Sequence, residues 1–172
     1  MQRLIDGFFM CWSMFLYIPS PSQRWNEEAR PHMLFTFPLV GLIVGVIWML
    51  AAWLSIFLMP AVRALFLAAV PWLLTGFMHM DGFMDVCDAI LSRKDIEAKR
   101  KILKDSHCGA FAVICIALLI LSQFAAFLDI GANAGTLKVC LGLLLIPVIV
   151  AIAVFIFTIL NFIPCDPVDL AL

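Results

Sequence analysis

Three aspartates, Asp81, Asp85 and Asp88, follow His79 at short spacing in the run HMDGFMDVCD, in a chain otherwise poor in charge. If this run is helical, at about 100° per residue Asp85 lies about 40° from Asp81 and Asp88 about 20° to the other side, so the carboxylates share one narrow face. Such an oxygen-only surface suits Mg²⁺, which is satisfied by one or two carboxylates plus water and completes its shell with substrate phosphates. That suits a diphosphate substrate. Zinc prefers nitrogen and sulfur, and no second histidine or cysteine pair lies close by. Gly82, beside Asp81, leaves room for a phosphate to approach the backbone. Further on come Lys104, Asp105, Ser106 and His107. Lys104 can neutralise a phosphate. Asp105 is open between a further metal ligand, a base, and, with Ser106, a cap on the following helix. His79 and His107 are each open between a role at the site and simple packing.

The segment 79–107 holds six of the chain's 12 acidic residues, six of its 11 basic ones and two of its 3 histidines. Asp95, Glu97, Lys99 and Lys101 read as a solvated face, because a loop is where a membrane protein keeps its charges. The three aspartates differ, since they continue the apolar run that ends at Met78 and alternate with Met80, Phe83, Met84, Val86 and Ile90. An aspartate at the centre of a span costs about 2.5 to 3.5 kcal/mol on insertion scales, so three together call for a compensating cation.

The elements that must position these residues are membrane helices. Of 172 residues, 65% are hydrophobic and 13% charged, against about 25% charged in soluble domains. Residues 33–59 contain no charge, and a helix of that length measures about 40 Å, enough for about 30 Å of hydrocarbon with tilt. Further apolar runs at 64–78, 108–128 and 139–163 bring the expected spans to four. Gly7 to Ile18 is a short N-terminal apolar helix that ends at Pro19 and Pro21 and is open between spanning and lying in the interface. The expected fold is therefore an all-α polytopic transmembrane bundle, one integral domain over 1–172 with its active segment at 79–107. Arg24 and Arg30 lie in one loop, and Arg93, Lys94, Lys99, Arg100, Lys101 and Lys104 in another. Strict alternation across four spans puts both on one face, which the positive-inside tendency makes cytoplasmic.

A formal net charge of -1 carries no clustered basic excess for a nucleic-acid partner. The 6 cysteines form no C-x-x-C pair and read as reduced packing residues. Arg3 precedes an apolar stretch, yet Tyr17, Ile18 and Pro19 offer no small-x-small cleavage site, so the segment is expected to stay in the mature protein. Gly41 and Gly45 make a small-x-x-x-small face that is expected to pack helices rather than touch substrate.

The runs GFMHMDGFMDVCDAILS (76–92) and KDSHCGAFAV (104–113), with FPLVGLIVG (37–45) and IPSP (18–21), resemble cobalamin synthase, the adenosylcobinamide-GDP ribazoletransferase family. The resemblance covers roughly residues 8–128. It implies a polytopic, Mg²⁺-dependent enzyme of the prokaryotic cytoplasmic membrane that joins adenosylcobinamide-GDP to α-ribazole or its 5′-phosphate and releases GMP. It further implies Asp81, Asp85 and Asp88 on one or two Mg²⁺, Lys104 on a phosphate oxygen, His79 or Asp105 as base, and Gly82, Ser106 and His107 near substrate. Two departures stand out. Leu16 and Tyr17 replace a Ser or Thr followed by Arg, and family members run on beyond the equivalent of Leu172, so the chain reads as a shortened or altered member.

Two other readings carry less. CDP-alcohol phosphotransferases also place spaced aspartates after D-G, but they ordinarily carry an Ala-Arg after the first D-G-x-x, which Phe83 to Cys87 lacks. A divalent-cation transporter should place charges in more than one span, and the other apolar runs contain none.

Overall fold

Hydrocarbon offers a backbone no partner for its N–H and C=O groups, so the charge-free runs fold as helices. The computed structural model describes residues 2–22, 25–105, 107–131 and 136–162. Those residues form α1 (Gln2–Phe15), α2 (Arg30–Leu54), α3 (Pro60–Leu74), α4 (Met78–Leu91), α5 (Ile96–Ile102), α6 (Ala110–Gly131) and α7 (Leu137–Phe162), with 3-10 turns at Glu27–Ala29 and Ser55–Phe57 and no strand among them. The fold is an all-α, polytopic helical bundle.

Three stretches are long and apolar enough to cross a bilayer: Glu27–Phe57, Ala110–Ile130 and Leu137–Val154. They coincide with three of the four expected spans. The fourth, at 64–78, differs: α3 stops at Leu74 and the chain turns by 90° into α4, so this pair makes a crossing only if both helices count as one broken span. The stop is a Schellman motif. The Phe77 N–H donates to Trp72 O at 2.9 Å and the Gly76 N–H to Leu73 O at 3.4 Å, with Gly76 at φ 59, the left-handed position where glycine is favoured. Phe77 is left-handed too, at φ 63, a conformation that costs a non-glycine residue about 1–2 kcal/mol. α1 has 14 residues, about 21 Å at helical rise, and is too short to span alone.

Contacts divide the chain into two compact units, Met1–Met49 with Leu141–Leu172, and Leu50–Cys140. In the first, α1 lies against the turn that precedes α2. Asn26 Nδ2 donates to Asp6 Oδ2 at 3.0 Å, Arg3 pairs with Glu28 at 2.7 Å, and the Trp12 indole N–H donates to Ile18 O at 2.8 Å, folding the IPSP turn back on α1. Phe15 meets Phe37 with ring centroids 4.7 Å apart. Cys11 is fully buried, which pushes its thiol up to about 12 and suits an inert packing role. The expected small-residue face is present: a Cβ on Gly41 would stand 2.6 Å from Pro147 O, and one on Gly45 would collide with Leu144 O. The two glycines let α2 and α7 approach backbone to backbone.

In the second unit, α3 begins at Pro60, a proline at the first turn that costs no hydrogen bond. Arg63 donates to Ser55 O at 2.8 Å, to Leu58 O at 3.1 Å and to Ile56 O, closing the carbonyls of the preceding turn. α3 and α4 both pack on α6, burying Ala64, Leu67, Ala68 and Val70 of α3, Ala89 of α4, and Ala112 and Phe127 of α6. Elsewhere α6 presents Phe111, Val113, Ile114, Leu118 and Leu121, uncovered by protein. An apolar row of that extent is of the kind that a bilayer or further protein covers.

Candidate functional site

The charged segment starts where α3 breaks, so α4 sets its own direction. Within α4 the three aspartates do share a face, and they grade along it: Asp81 is exposed, Asp85 half-buried and Asp88 only 8% exposed. The gradient follows the approach of α4 to α6. His79 lies on α4 as well, exposed, but about 160° around the helix from Asp81. The helical register thus separates it from the carboxylates it was expected to serve. Gly82 is exposed, and a Cβ there would meet nothing within 4 Å, so the backbone beside Asp81 is open to a ligand.

Asp88 is fully engaged. One carboxylate oxygen accepts the Gly109 N–H at 2.6 Å, the other the Ala112 N–H at 2.9 Å. These are orphan donors of the first turn of α6, and Gly109 has no side chain with which to cap them itself. A Cβ at 109 would lie 2.6 Å from both Asp88 oxygens, so the close approach requires glycine. Spacing along one segment gave no hint of this pairing, whose partners are 21 and 24 residues apart; Gly109 at the head of an apolar run was the only local sign.

After α4 the chain turns through Arg93 at φ 53 into α5, which Asp95 caps by accepting the Ala98 N–H at 2.9 Å. Glu97 lies in its first turn and Lys99, Arg100 and Lys101 in its last, the arrangement that complements a helix dipole. These charges have the solvated, structural role expected of them.

Lys104 is exposed in the turn that follows, and Asp105 and His107 are exposed beyond it. Asp105 does not cap α6. Its Oδ1 contacts His107 Nδ1 at 2.6 Å and accepts the His107 backbone N–H at 3.1 Å. Hydrogen bonding to His107 holds the Asp105 carboxyl below its ordinary value, and the same bond raises the imidazole. Ser106, expected near substrate, lies outside the described residues.

No group of three or more His, Cys, Asp or Glu among the described residues is arranged to hold a metal ion. A two-carboxylate set is different. Among the described residues no hydrogen-bond donor is bonded to the side-chain carboxylate of Asp81 or Asp85, and a magnesium ion needs only one or two protein carboxylates when phosphates supply the remainder. The donor set fits that mode of binding.

The model of the family "Cobalamin-5-phosphate synthase" (CobS) matches residues 7–167, a stretch that includes α4, α5 and the start of α6. Among curated relatives named adenosylcobinamide-GDP ribazoletransferase, one from Clostridium botulinum (strain Eklund 17B / Type B) is 44% identical over 138 residues, 77% of this chain and 55% of the relative. One from Clostridium perfringens (strain 13 / Type A) is 44% identical over 136 residues, 76% of this chain and 53% of the relative. A third, from Halalkalibacterium halodurans, is 38% identical over 122 residues, 70% of this chain and 47% of the relative. The chain thus spans about half the length of these relatives. No solved structure matches it. On the family match, which takes in nearly the whole chain and the carboxylate face of α4, this protein belongs to the cobalamin-5-phosphate synthase family.

Proposed function

We propose that this chain catalyses the adenosylcobinamide-GDP ribazoletransferase reaction, joining adenosylcobinamide-GDP to α-ribazole or its 5′-phosphate with release of GMP. The observation that carries the reading is the 44% identity, over 77% of the chain, to a relative named for that activity. The open carboxylate face of α4 supports it.

In the reaction a ribose hydroxyl other than the 5′ one, which the 5′-phosphate acceptor has esterified, bonds through its oxygen to the phosphorus nearer the cobinamide, the bond from that phosphorus to the bridging oxygen breaks, and GMP leaves with that oxygen. The hydroxyl proton passes to a base. Asp81 and Asp85 would hold Mg²⁺, which when bound supplies positive charge against the diphosphate oxygens. Lys104 would add a second cation on a phosphate oxygen, and Gly82 would let the phosphate lie against the helix backbone. For the base we favour the Asp105–His107 pair over His79. Asp105 occupies Nδ1 of the imidazole, which turns Nε2 outward as the proton acceptor once pH is above the raised His107 value. Transfer of this kind depends mostly on positioning and charge neutralisation, and the segment is rich in both signs of charge. The protein would act in the prokaryotic cytoplasmic membrane with 79–107 at the cytoplasmic face, where its substrates are, as the six basic residues of that segment favour.

The test is GMP release from membranes containing the full chain, given adenosylcobinamide-GDP, α-ribazole and Mg²⁺. Release should require the divalent ion and stop with EDTA. GMP release that persists undiminished in EDTA would overturn the metal reading, and release of CMP from a CDP-alcohol in its place would overturn the substrate.

A further inference from the structure

We infer that Asp88 is a positioning residue: its carboxylate latches α4 to the first turn of α6, and the cation is left to Asp81 and Asp85. The latch stands on the hydrogen bonds alone; the division of labour among the aspartates rests on the proposed function.

Three observations converge. Both Asp88 oxygens are engaged, by the Gly109 N–H at 2.6 Å and the Ala112 N–H at 2.9 Å, and the residue is 8% exposed. The start of a helix carries partial positive charge, so the carboxylate is already neutralised by α6 and charge-assisted bonds to it are strong. A cation on the same oxygens would be pressed against the positive end of that dipole. Finally, the direction of α4 is not inherited from α3, because the chain turns by 90° between them through left-handed Gly76 and Phe77. Something must therefore hold α4 from its far end. Asp88 does so, and it thereby aims the two more exposed carboxylates, one and two helical turns earlier on the same face. Gly109 is the other half of the device, since any side chain there would drive the carboxylate out.

The experiment uses the full chain in lipid nanodiscs, with Mn²⁺ affinity read by electron paramagnetic resonance and amide exchange read across 109–113. Asp88→Asn should speed exchange at Gly109 and Ala112 by about tenfold or more and leave the Mn²⁺ Kd within about threefold. Asp85→Asn should do the reverse, raising the Mn²⁺ Kd by about tenfold or more with exchange at Gly109 and Ala112 unchanged. Gly109→Ala keeps the carboxylate and should reproduce the exchange signature, so the latch stays readable if the Asp88 variant does not fold. In GMP release, Asp88→Asn should lower kcat and leave the Mg²⁺ dependence where it was. An Mn²⁺ Kd raised in Asp88→Asn as far as in Asp85→Asn would make Asp88 a ligand and overturn the inference; exchange unaltered in both Asp88→Asn and Gly109→Ala would remove the latch. A wild-type chain that neither binds Mn²⁺ nor releases GMP would instead sink the proposed function, and exchange alone would then decide the latch.

Discussion

At the scale of single residues, the acidic groups of 79–107 divide by what already neutralises them. Asp95 is spent on the start of α5, Asp88 on the start of α6, and Asp105 on an imidazole. The Asp105–His107 pair makes a prediction about pH. Its Asp is held below the ordinary 3.8 and its His above the ordinary 6.5. The pair is therefore doubly ionised between those two shifted values. It is lost at the acid end as pH falls through the Asp105 value, and at the alkaline end as pH rises through the His107 value. Because both side chains are exposed, salt should weaken the pairing. Asp105→Asn should lower the His107 pKa toward 6.5, as followed by NMR of the imidazole; an unmoved titration would mean that the contact does not form. Spacing alone made Asp81, Asp85 and Asp88 legible as one face, since an α-helix obliges residues at those offsets to align. It could not divide their roles. Asp88 looks like its neighbours in sequence, and its role is set by donors that only tertiary packing brings to it.

At the scale of elements, the small-residue face and the broken helix show where local pattern suffices. Gly41 and Gly45 were readable as a packing stripe because one helical turn separates them, and both do face backbone of α7. The close approach makes a contrast. Gly45→Ala places a methyl against the Leu144 carbonyl and its backbone neighbours, which cannot yield as a side-chain tip would, so it should destabilise by about 1–3 kcal/mol. Gly142→Ala, in α7 with nothing within 4 Å, should instead be neutral or stabilise by up to about 1 kcal/mol through better helix propensity. Thermal unfolding of the two variants in detergent checks the sign of each; equal effects would contradict the packing described. The break between α3 and α4 was harder to read. Apolar residues run on through Met78, so hydropathy sees one segment, and the only stop signal is Gly76 after Thr75, a glycine at the helix end that an apolar context masks. The consequence is large, because α4 then leads its carboxylates away from the line of α3.

At the scale of the whole molecule, apolar composition made the membrane class plain, while the number of crossings depends on how α3 and α4 are counted. Cysteines introduced at Met59 and at Lys99, in a background without the native thiols, distinguish the cases. If the bent pair is one broken span, the two positions label from opposite sides, with 99 on the cytoplasmic side; labelling of both from the same side would make the pair a re-entrant loop. The proposed function reduces to one claim, that α4 would carry the metal-dependent centre of a ribazoletransferase. Asp85 is the residue on which that claim can be tested with least ambiguity, since it lies on the carboxylate face without the structural bonds that occupy Asp88. The decisive measurement compares wild type with Asp85→Asn in nanodiscs, counting GMP released against α-ribazole joined to cobinamide. The account expects one-to-one stoichiometry in the wild type and a loss of about 100-fold or more in the variant. Turnover in Asp85→Asn within a few-fold of wild type would contradict it.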